Sequence, residues 1–235
     1  MLKDKSAVVS SWKSDREMKD DPRLFEPRYD ITSAAQHLRM PRSTLAAWVR
    51  GQADFKRVLE PAEPGYLSFV NLTEAFVLFA IRKNYRIGMP EVRRAIDYVE
   101  IEMKVEHPLA FESFKTDGVH LFVETMTGHQ INASRGGQTR MAGLLKDLNR
   151  IEWRRSRPIT LFPVFGREKS EDRFISISPL IAFGKPVVAG TRIPTRIVSD
   201  RFFQGESVEA LAEDFGLPPE AVEEAVRAES GLAAA

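Results

Sequence analysis

Two stretches of this chain carry the apolar spacing of paired short helices, and their charges are opposite. The first is DITSAAQHLRMPRSTLAAWVRG, Asp30 to Gly51, whose second helix and exit hold Arg42, Ser43, Thr44 and Arg50. The second is ESVEALAEDFGLPPEAVEEAVRAE, Glu206 to Glu229, where Glu209, Glu213, Asp214, Glu220, Glu223, Glu224 and Glu229 surround a single basic residue, Arg227. Affinity for duplex DNA comes largely from Lys and Arg displacing condensed counterions, so only the first unit suits a phosphate backbone.

A chain of 235 residues holds two or three modules of roughly 60 to 80 residues, each with a modest core. The net charge of +1 excludes a uniformly basic nucleic-acid coat, so attraction to DNA must be local. Cysteine is absent, which removes disulfides, thiolate metal sites and cysteine nucleophiles together. No apolar run approaches the roughly 20 residues that span a bilayer, and MLKDKSAVVSSWKSDREMKDD lacks a secretory core, so a soluble cytoplasmic protein is expected.

Residues 1–28 are charged and aperiodic and read as a mobile arm, with Leu24 and Phe25 able to dock. Thr32 or Ser33 is expected to cap a short helix carrying Ala34, Ala35 and Leu38, after which Pro41 opens a second with Leu45, Trp48 and Val49 on one face. FKRVLEPAEPGYLSFV, Phe55 to Val70, reads as two extended pieces around a proline-glycine turn, the form of a wing. Asn71 with Glu74 suggests a capping box for a helix stopped by Gly88, and Pro90 opens an amphipathic helix with Val92, Ile96, Val99 and Met103 inward. Together these give a domain over 29–105.

The connecting region, 106–168, changes to mixed character. FESFKTDGVHLFVE places Asp117 and Gly118 between alternating runs, a hairpin signal. A helix is expected from Arg140 to Trp153 on Met141, Leu144, Leu145, Leu148 and Ile151, followed by extended RRSRPITLFPVF. GREKSED, Gly166 to Asp172, reads as the linker into a carboxy-terminal domain, 169–235. That domain opens with the strand FISISP and with PVVAGTRIPT, where Ala189 and Gly190 make a tight turn between β-prone arms. The expected class is α+β, mainly helical: an amino-terminal winged helix-turn-helix, a small hairpin-plus-helix middle, and a β-hairpin leading into a trihelical, homeodomain-like module.

In a helix-turn-helix the amino end of the second helix lies nearest the bases, and here it offers Arg42, Ser43 and Thr44. Arg42 can read guanine or clamp phosphate, the two hydroxyls suit either partner, and Thr32 and Ser33 flank them from the first helix. Arg50, with Lys56 and Arg57 on the wing, extends the basic track; Trp48 belongs to the core. The bland alternative is a three-helix core with a solvated Arg and Ser surface. Tyr29, Ala34, Ala35, Leu38, Pro41 and Trp48 fall in the pattern of the MerR-like winged helix-turn-helix family, which the stretch from Tyr29 to Lys104 resembles. It departs from that family's effector-binding regulators in lacking sensing cysteines and a long terminal coiled coil.

The last third has a tighter signature. Gly184, Pro186, Gly190, Thr191, Arg192, Ile193 and Pro194 spell G-x-P-x-x-x-G-T-R-I-P, and Gly205 and Ser207 give the Gly-x-Ser that follows. In these the segment from Ser178 to Val226 closely resembles the VapB-type antitoxin domain long catalogued as a domain of unknown function. The resemblance implies an antitoxin of a type II toxin-antitoxin pair, with a PIN-like ribonuclease toxin as partner and operator DNA as the target of autorepression. On the residues alone, Val208, Leu211, Ala212 and Phe215 form one amphipathic face and Ala221, Val222, Ala225 and Val226 another, a compact core with an acidic exterior. The arm Gly190, Thr191, Arg192, Ile193, Pro194, Thr195 and Arg196 reads as a basic, partly apolar edge for toxin binding or dimerisation. Arg192, and second Arg196, can pair with the carboxylates of a metal-dependent nuclease; equally, Arg192 can pair with Asp200 or Asp214 within its own domain.

An enzyme is not expected. His37, His107, His120 and His129 show no ligand pair at helical spacing, and SRGGQTR, Ser134 to Arg140, lacks the spacing of a phosphate-binding loop. No cofactor, metal or small-molecule ligand is called for, and no membrane. The resulting expectation is a homodimeric DNA-binding antitoxin, because one short recognition helix makes too few contacts and a two-fold dimer reads two half-sites about 34 Å or a multiple apart. The alternative is a MerR-like regulator of other genes without a toxin partner.

Overall fold

The computed structural model describes residues 21–51, 56–86, 88–103, 106–112, 114, 122, 135–165 and 172–230. The fold is α+β and mainly helical, with eight α-helices and three two-stranded antiparallel sheets among the described residues. None of these helices is long and apolar enough to cross a membrane.

Order begins before Tyr29. A single 3-10 turn, Pro22–Leu24, is capped by the Asp21 carboxylate and buries Leu24, and Phe25 packs on the same core. Strand β1, Tyr29–Asp30, runs into α1, Ile31–His37. The cap is Asp30 rather than the expected Thr32 or Ser33: its carboxylate accepts the Thr32 and Ser33 amides at 2.7 and 2.9 Å. An extended aspartate just ahead of the helix reaches the orphan donors that Thr32 and Ser33, already helical, cannot. Helix α2, Arg42–Arg50, follows a turn in which Arg39 is left-handed with φ 51°. Leu45, Trp48 and Val49 bury its inner face, Trp48 to 2% exposure, as their spacing requires.

The expected wing does not form between its own two arms. Strand β2, Tyr66–Leu67, pairs antiparallel with β1, Tyr29 facing Leu67. Val58 and Leu59 instead donate their amides to the Trp48 carbonyl, folding the first arm onto α2. The proline-glycine turn is real, with Gly65 at φ +85°, but it closes only the short Glu63 to Tyr66 bridge. Helix α3, Phe69–Tyr85, begins three residues before the expected site. Ser68 is its N-cap and Asn71 the N3 residue that answers it, so the box is Ser68 with Asn71 and not Asn71 with Glu74. This helix is buried nearly all round and forms the axis of the main core; α4, Met89–Met103, lays Val92, Ile96 and Val99 on that core.

The Asp117–Gly118 hairpin lies outside the described residues, but Glu112, Phe114 and Phe122 around it are helical, not extended. Helix α5, Arg135–Leu148, starts five residues earlier than expected and stops earlier too. Arg135 to Arg140 of the glycine-rich SRGGQTR therefore form its first turns. Ile151 and Trp153 belong to β3, Ile151–Arg154, which pairs with β4, Arg157–Leu161. The two-residue turn between them, Arg155 and Ser156, has φ 50° and 61°, the primed geometry of a tight hairpin without the glycine that signals one.

One apolar core runs from Leu24 through α1 to α5 and the β3–β4 hairpin to Ile177. A second gathers Phe165, Ile175, Val188, Val198, Leu211, Val222 and Ala225 under the last three helices. A single β-bridge, Leu161 to Ile177, joins the two bodies at their strands. Here β5, Ile175–Ser176, pairs with β6, Val187–Val188. Helices α6, Thr195–Phe203, α7, Val208–Phe215, and α8, Pro219–Ser230, close the trihelical module, with Gly216 left-handed between α7 and α8.

Candidate functional site

The amino-terminal surface is built around the start of α2. Pro41 precedes that helix and supplies no side-chain cap, so the first amides of Arg42 and Ser43 have no capping side chain. Arg42 and Ser43 are exposed and Thr44 is half-buried. Thr32 on α1 accepts the Arg42 Nε–H at 2.9 Å, a contact that ties the guanidinium to α1. Ser33 is spent locally: its hydroxyl donates to the Asp30 carbonyl at 3.0 Å. Arg50 is exposed at the far end of α2, beside Gly51 at φ +78°. Lys56 and Arg57 are exposed beyond it, Arg57 in an ion pair with Glu60.

Two further cations join this face that the sequence reading did not name. Arg82 on α3 lies over the Trp48 ring, 5.8 Å from its centre, and Arg93 on α4 donates its Nε–H to the Lys56 carbonyl at 3.2 Å. With Ser43, Thr44, Met89 and Pro90 they line a cleft of about 320 Å³ beside α2. No local motif announces Arg82 or Arg93; only the packing of α3 and α4 against α2 brings them there.

The carboxy-terminal arm is not the open edge its sequence suggests. The Ile193 carbonyl accepts the Val188 amide, and the Pro186 carbonyl accepts the Thr195 amide, so the arm folds back on β6 with its backbone already engaged. The Thr191 hydroxyl donates to the Val188 carbonyl at 2.8 Å and accepts the Ile193 amide at 3.0 Å, tightening the turn that Gly190 makes at φ +77°. Ile193 packs on the second core and Pro194 precedes α6. Thr195 is buried, its hydroxyl donating to Glu229 Oε1 at 2.5 Å and lying 3.3 Å from the Pro186 carbonyl. Arg192 and Arg196 remain at the surface. Arg196 lies 3.5 Å from Asp200, and Asp214 is taken by Arg201, which also grips Glu206. Both acids considered as intradomain partners of Arg192 are thus held by other arginines, and Arg192 has no ion pair among the described residues.

The acidic exterior of α7 and α8 keeps Glu209, Glu213, Asp214, Glu220 and Glu223 exposed, while Arg227 is held by Glu223 and Glu224. Hydrogen bonds from Tyr29, Arg28 and Arg39 are among the contacts that tie this unit to the amino-terminal one. The Tyr29 hydroxyl donates to the Gly184 carbonyl at 3.0 Å, Arg28 donates to the Phe183 carbonyl, and Arg39 donates to the carbonyls of Phe165 at 3.2 Å and Arg227 at 2.7 Å. Gly184 is needed there: at φ +79°, a Cβ would fall 2.5 Å from the Tyr29 hydroxyl.

Residues 175–227 match the family described as "Protein of unknown function (DUF433)". The chain is 25% identical over 236 residues to "Putative antitoxin VapB45" of Mycobacterium tuberculosis (strain ATCC 25618 / H37Rv), covering 88% of this chain and 95% of that protein. The likeness is to a VapB-type antitoxin. It extends well beyond the GTRIP string, into the amino-terminal unit. The crystal structure of Rv2018 from Mycobacterium tuberculosis shares the fold, with a TM-score of 0.65 over 86% of this chain and 98% of that one at 22% identity.

Of the histidines, His37 packs edge-on against Tyr29, and burial pushes its pKa down to about 4. His107 is opposed by burial but lies 2.9 Å from the Glu74 carboxylate, and the net effect raises it. Among the described residues no group of three or more His, Asp or Glu is placed to hold a metal ion.

Proposed function

We propose that this chain is a non-enzymatic, DNA-binding antitoxin that neutralises a PIN-like ribonuclease and represses its own operon. The observation carrying this reading is the likeness to an antitoxin over 88% of the chain, which includes the basic helix pair as well as the GTRIP segment. In this reading α2 enters the major groove. Arg42 and Ser43 meet base edges and phosphate, Thr32 holds Arg42 in position, and Arg50, Lys56 and Arg57 track the backbone, with Arg82 and Arg93 adding charge beside them. Two copies bind a pseudo-palindromic operator, since one nine-residue helix offers too few specific contacts.

The carboxy-terminal module captures the toxin. Arg192, held at the surface by the Gly190 turn and the Thr191 bonds, enters the carboxylate cluster of the nuclease and competes there with metal or RNA. Arg196 is the weaker candidate because Asp200 lies beside it. The amino-terminal unit and the carboxy-terminal one divide the labour between DNA and protein.

The test is co-expression of the chain with a PIN-like protein encoded beside it. Copurification as a complex, together with rescue of growth, supports the reading; no complex and no rescue overturns the toxin-binding half. Arg192→Glu should weaken that complex at least tenfold while leaving DNA binding intact. In a separate gel-shift experiment, Arg42→Ala should weaken binding to upstream DNA, and unchanged affinity at physiological salt removes Arg42 from the interface.

A further inference from the structure

A second concavity, larger than the one beside α2, opens where the helix-turn-helix meets the rest of the molecule. Its volume is about 740 Å³, within the range of sites that enclose small ligands. Phe76 and Phe79 on α3 and Phe165 ahead of the carboxy-terminal unit form its apolar wall. Arg39, Lys83, Lys146 and Arg150 surround that wall, against one lining carboxylate, Asp147. The Asp147 Oδ2 already accepts the Asn84 amide at 3.0 Å. Arg150 is buried, with guanidinium bonds to the Phe162 and Asp172 carbonyls. Burial and the nearby Arg173 lower its pKa while Asp147, Glu224 and Asp172 act the other way, and the guanidinium stays a cation.

The chemistry of this lining is specific in two ways. The cations of the rim outnumber its one lining carboxylate, with Asp172 and Glu224 near Arg150 offsetting part of that charge, and the phenyl rings favour a flat apolar body over a bare ion. The size excludes a helix or a duplex and suits a molecule of one or two rings. We propose that the cleft is a binding site for a small aromatic anion, of the aryl phosphate or nucleotide kind.

Its position gives the site a consequence. Arg39 belongs both to the rim and to the bridge between the two units, since its guanidinium lies 5.2 Å from the Phe165 ring centre and bonds the carbonyls of Phe165 and Arg227. A ligand seated against Phe165 and Arg39 stiffens that bridge and fixes the helix-turn-helix relative to the acidic helices. This adds a ligand to the molecule without depending on the toxin or operator assignment.

The experiment uses the full chain and four probes: phenyl phosphate, AMP, inorganic phosphate and phenol, read by calorimetry and by thermal unfolding. Phenyl phosphate or AMP should bind at least tenfold more tightly than inorganic phosphate or phenol, each of which carries half of the chemistry. At about ten times its Kd, the aromatic anion should raise Tm by about 3–6 °C. AMP binding without phenyl phosphate binding assigns a nucleotide, and the reverse assigns a simple aryl anion. Lys83→Glu with Lys146→Glu, checked for unchanged circular dichroism, should lower the affinity at least tenfold; Arg42→Ala, on the other basic face, should leave it unchanged. Failure of both aromatic anions to bind overturns the proposal. So does binding that survives the lysine reversals or is lost with Arg42→Ala, and neither result bears on toxin or operator binding.

Discussion

The helix pairs at the two ends of this molecule are built alike and face the solvent with opposite charge. Each joins two short helices through a left-handed turn residue, Arg39 at φ 51° in one and Gly216 at φ 64° in the other. Each brings in its second helix at a proline, Pro41 or Pro219. Yet α2 exposes Arg42, Ser43 and Arg50, whereas α8 exposes Glu220 and Glu223 and holds its one arginine between two glutamates. The backbone shape is therefore neutral about function, and the outward charge decides which ligand each pair can meet. The turns differ in a second way. Glycine adopts the left-handed region at little cost, while Arg39 is strained there and is held by two carbonyl bonds and the Phe165 ring.

The largest effect that sharpens this contrast is on DNA. Reversing Arg42 and Arg50 together to Glu should lower operator affinity by at least about a thousandfold. Reversing Glu220 and Glu223 to Lys should not create a second DNA site of comparable strength. Fluorescence anisotropy at fixed salt measures both, and equal losses at the two ends would erase the distinction.

Acid should strike the two pairs unequally. His37 sits in the amino-terminal pair with its pKa pushed down to about 4 by burial, and the carboxy-terminal unit contains no histidine. Between pH 6.5 and 4 the unfolded chain binds the His37 proton and the folded one does not, so stability falls as the pH falls, by up to about 3 kcal/mol. His37→Gln should flatten that part of the curve in denaturant titrations. His107 works in the other direction: its raised pKa contributes stability that is fully present below about pH 6.5 and is lost as the pH rises through the folded value. A pH profile unchanged by His37→Gln would mean that the ring is solvated in the folded state.

The joint between the pairs is next. Gly184→Ala places a Cβ against the Tyr29 hydroxyl in a backbone region that alanine disfavours, and should cost about 2 kcal/mol, a fall of about 4–8 °C in Tm. A variant as stable as the parent would show that the two units are not clamped at Tyr29. The smallest effect compares two serine caps. Ser68 is buried and forms a reciprocal box with Asn71, so Ser68→Ala should cost about 1–2 kcal/mol; Ser207 caps α7 at the surface, and Ser207→Ala should cost about 0.5 kcal/mol. Reversed magnitudes would indicate that burial does not set the value of a cap here.

Much of this protein was legible one residue at a time. The helical periods of α2, α4, α7 and α8, the burial of Trp48, the proline-glycine turn at Gly65 and the Gly190 turn follow from spacing and backbone preference. The local errors share one cause. Asp30 displaced Thr32 and Ser33 as a cap, and Ser68 displaced Asn71, because a capping side chain works from the extended residue before the helix, and the sequence offered several candidates within three positions. The β3–β4 hairpin was hidden because Arg155 and Ser156 carry no turn signature, and the left-handed geometry is imposed by the strands they join.

By itself, then, the sequence determined the two helical units, their opposite charges and the GTRIP signature, all properties of neighbours within one or two turns. Tertiary structure alone decided that Tyr66 and Leu67 pair with β1 and not with their own arm, that Arg82 and Arg93 join the basic face beside α2, and that Arg39 ends against Phe165. Such contacts join residues up to 188 positions apart, and no local preference encodes them. They form because burying the core of α3 leaves these side chains only one place to lie.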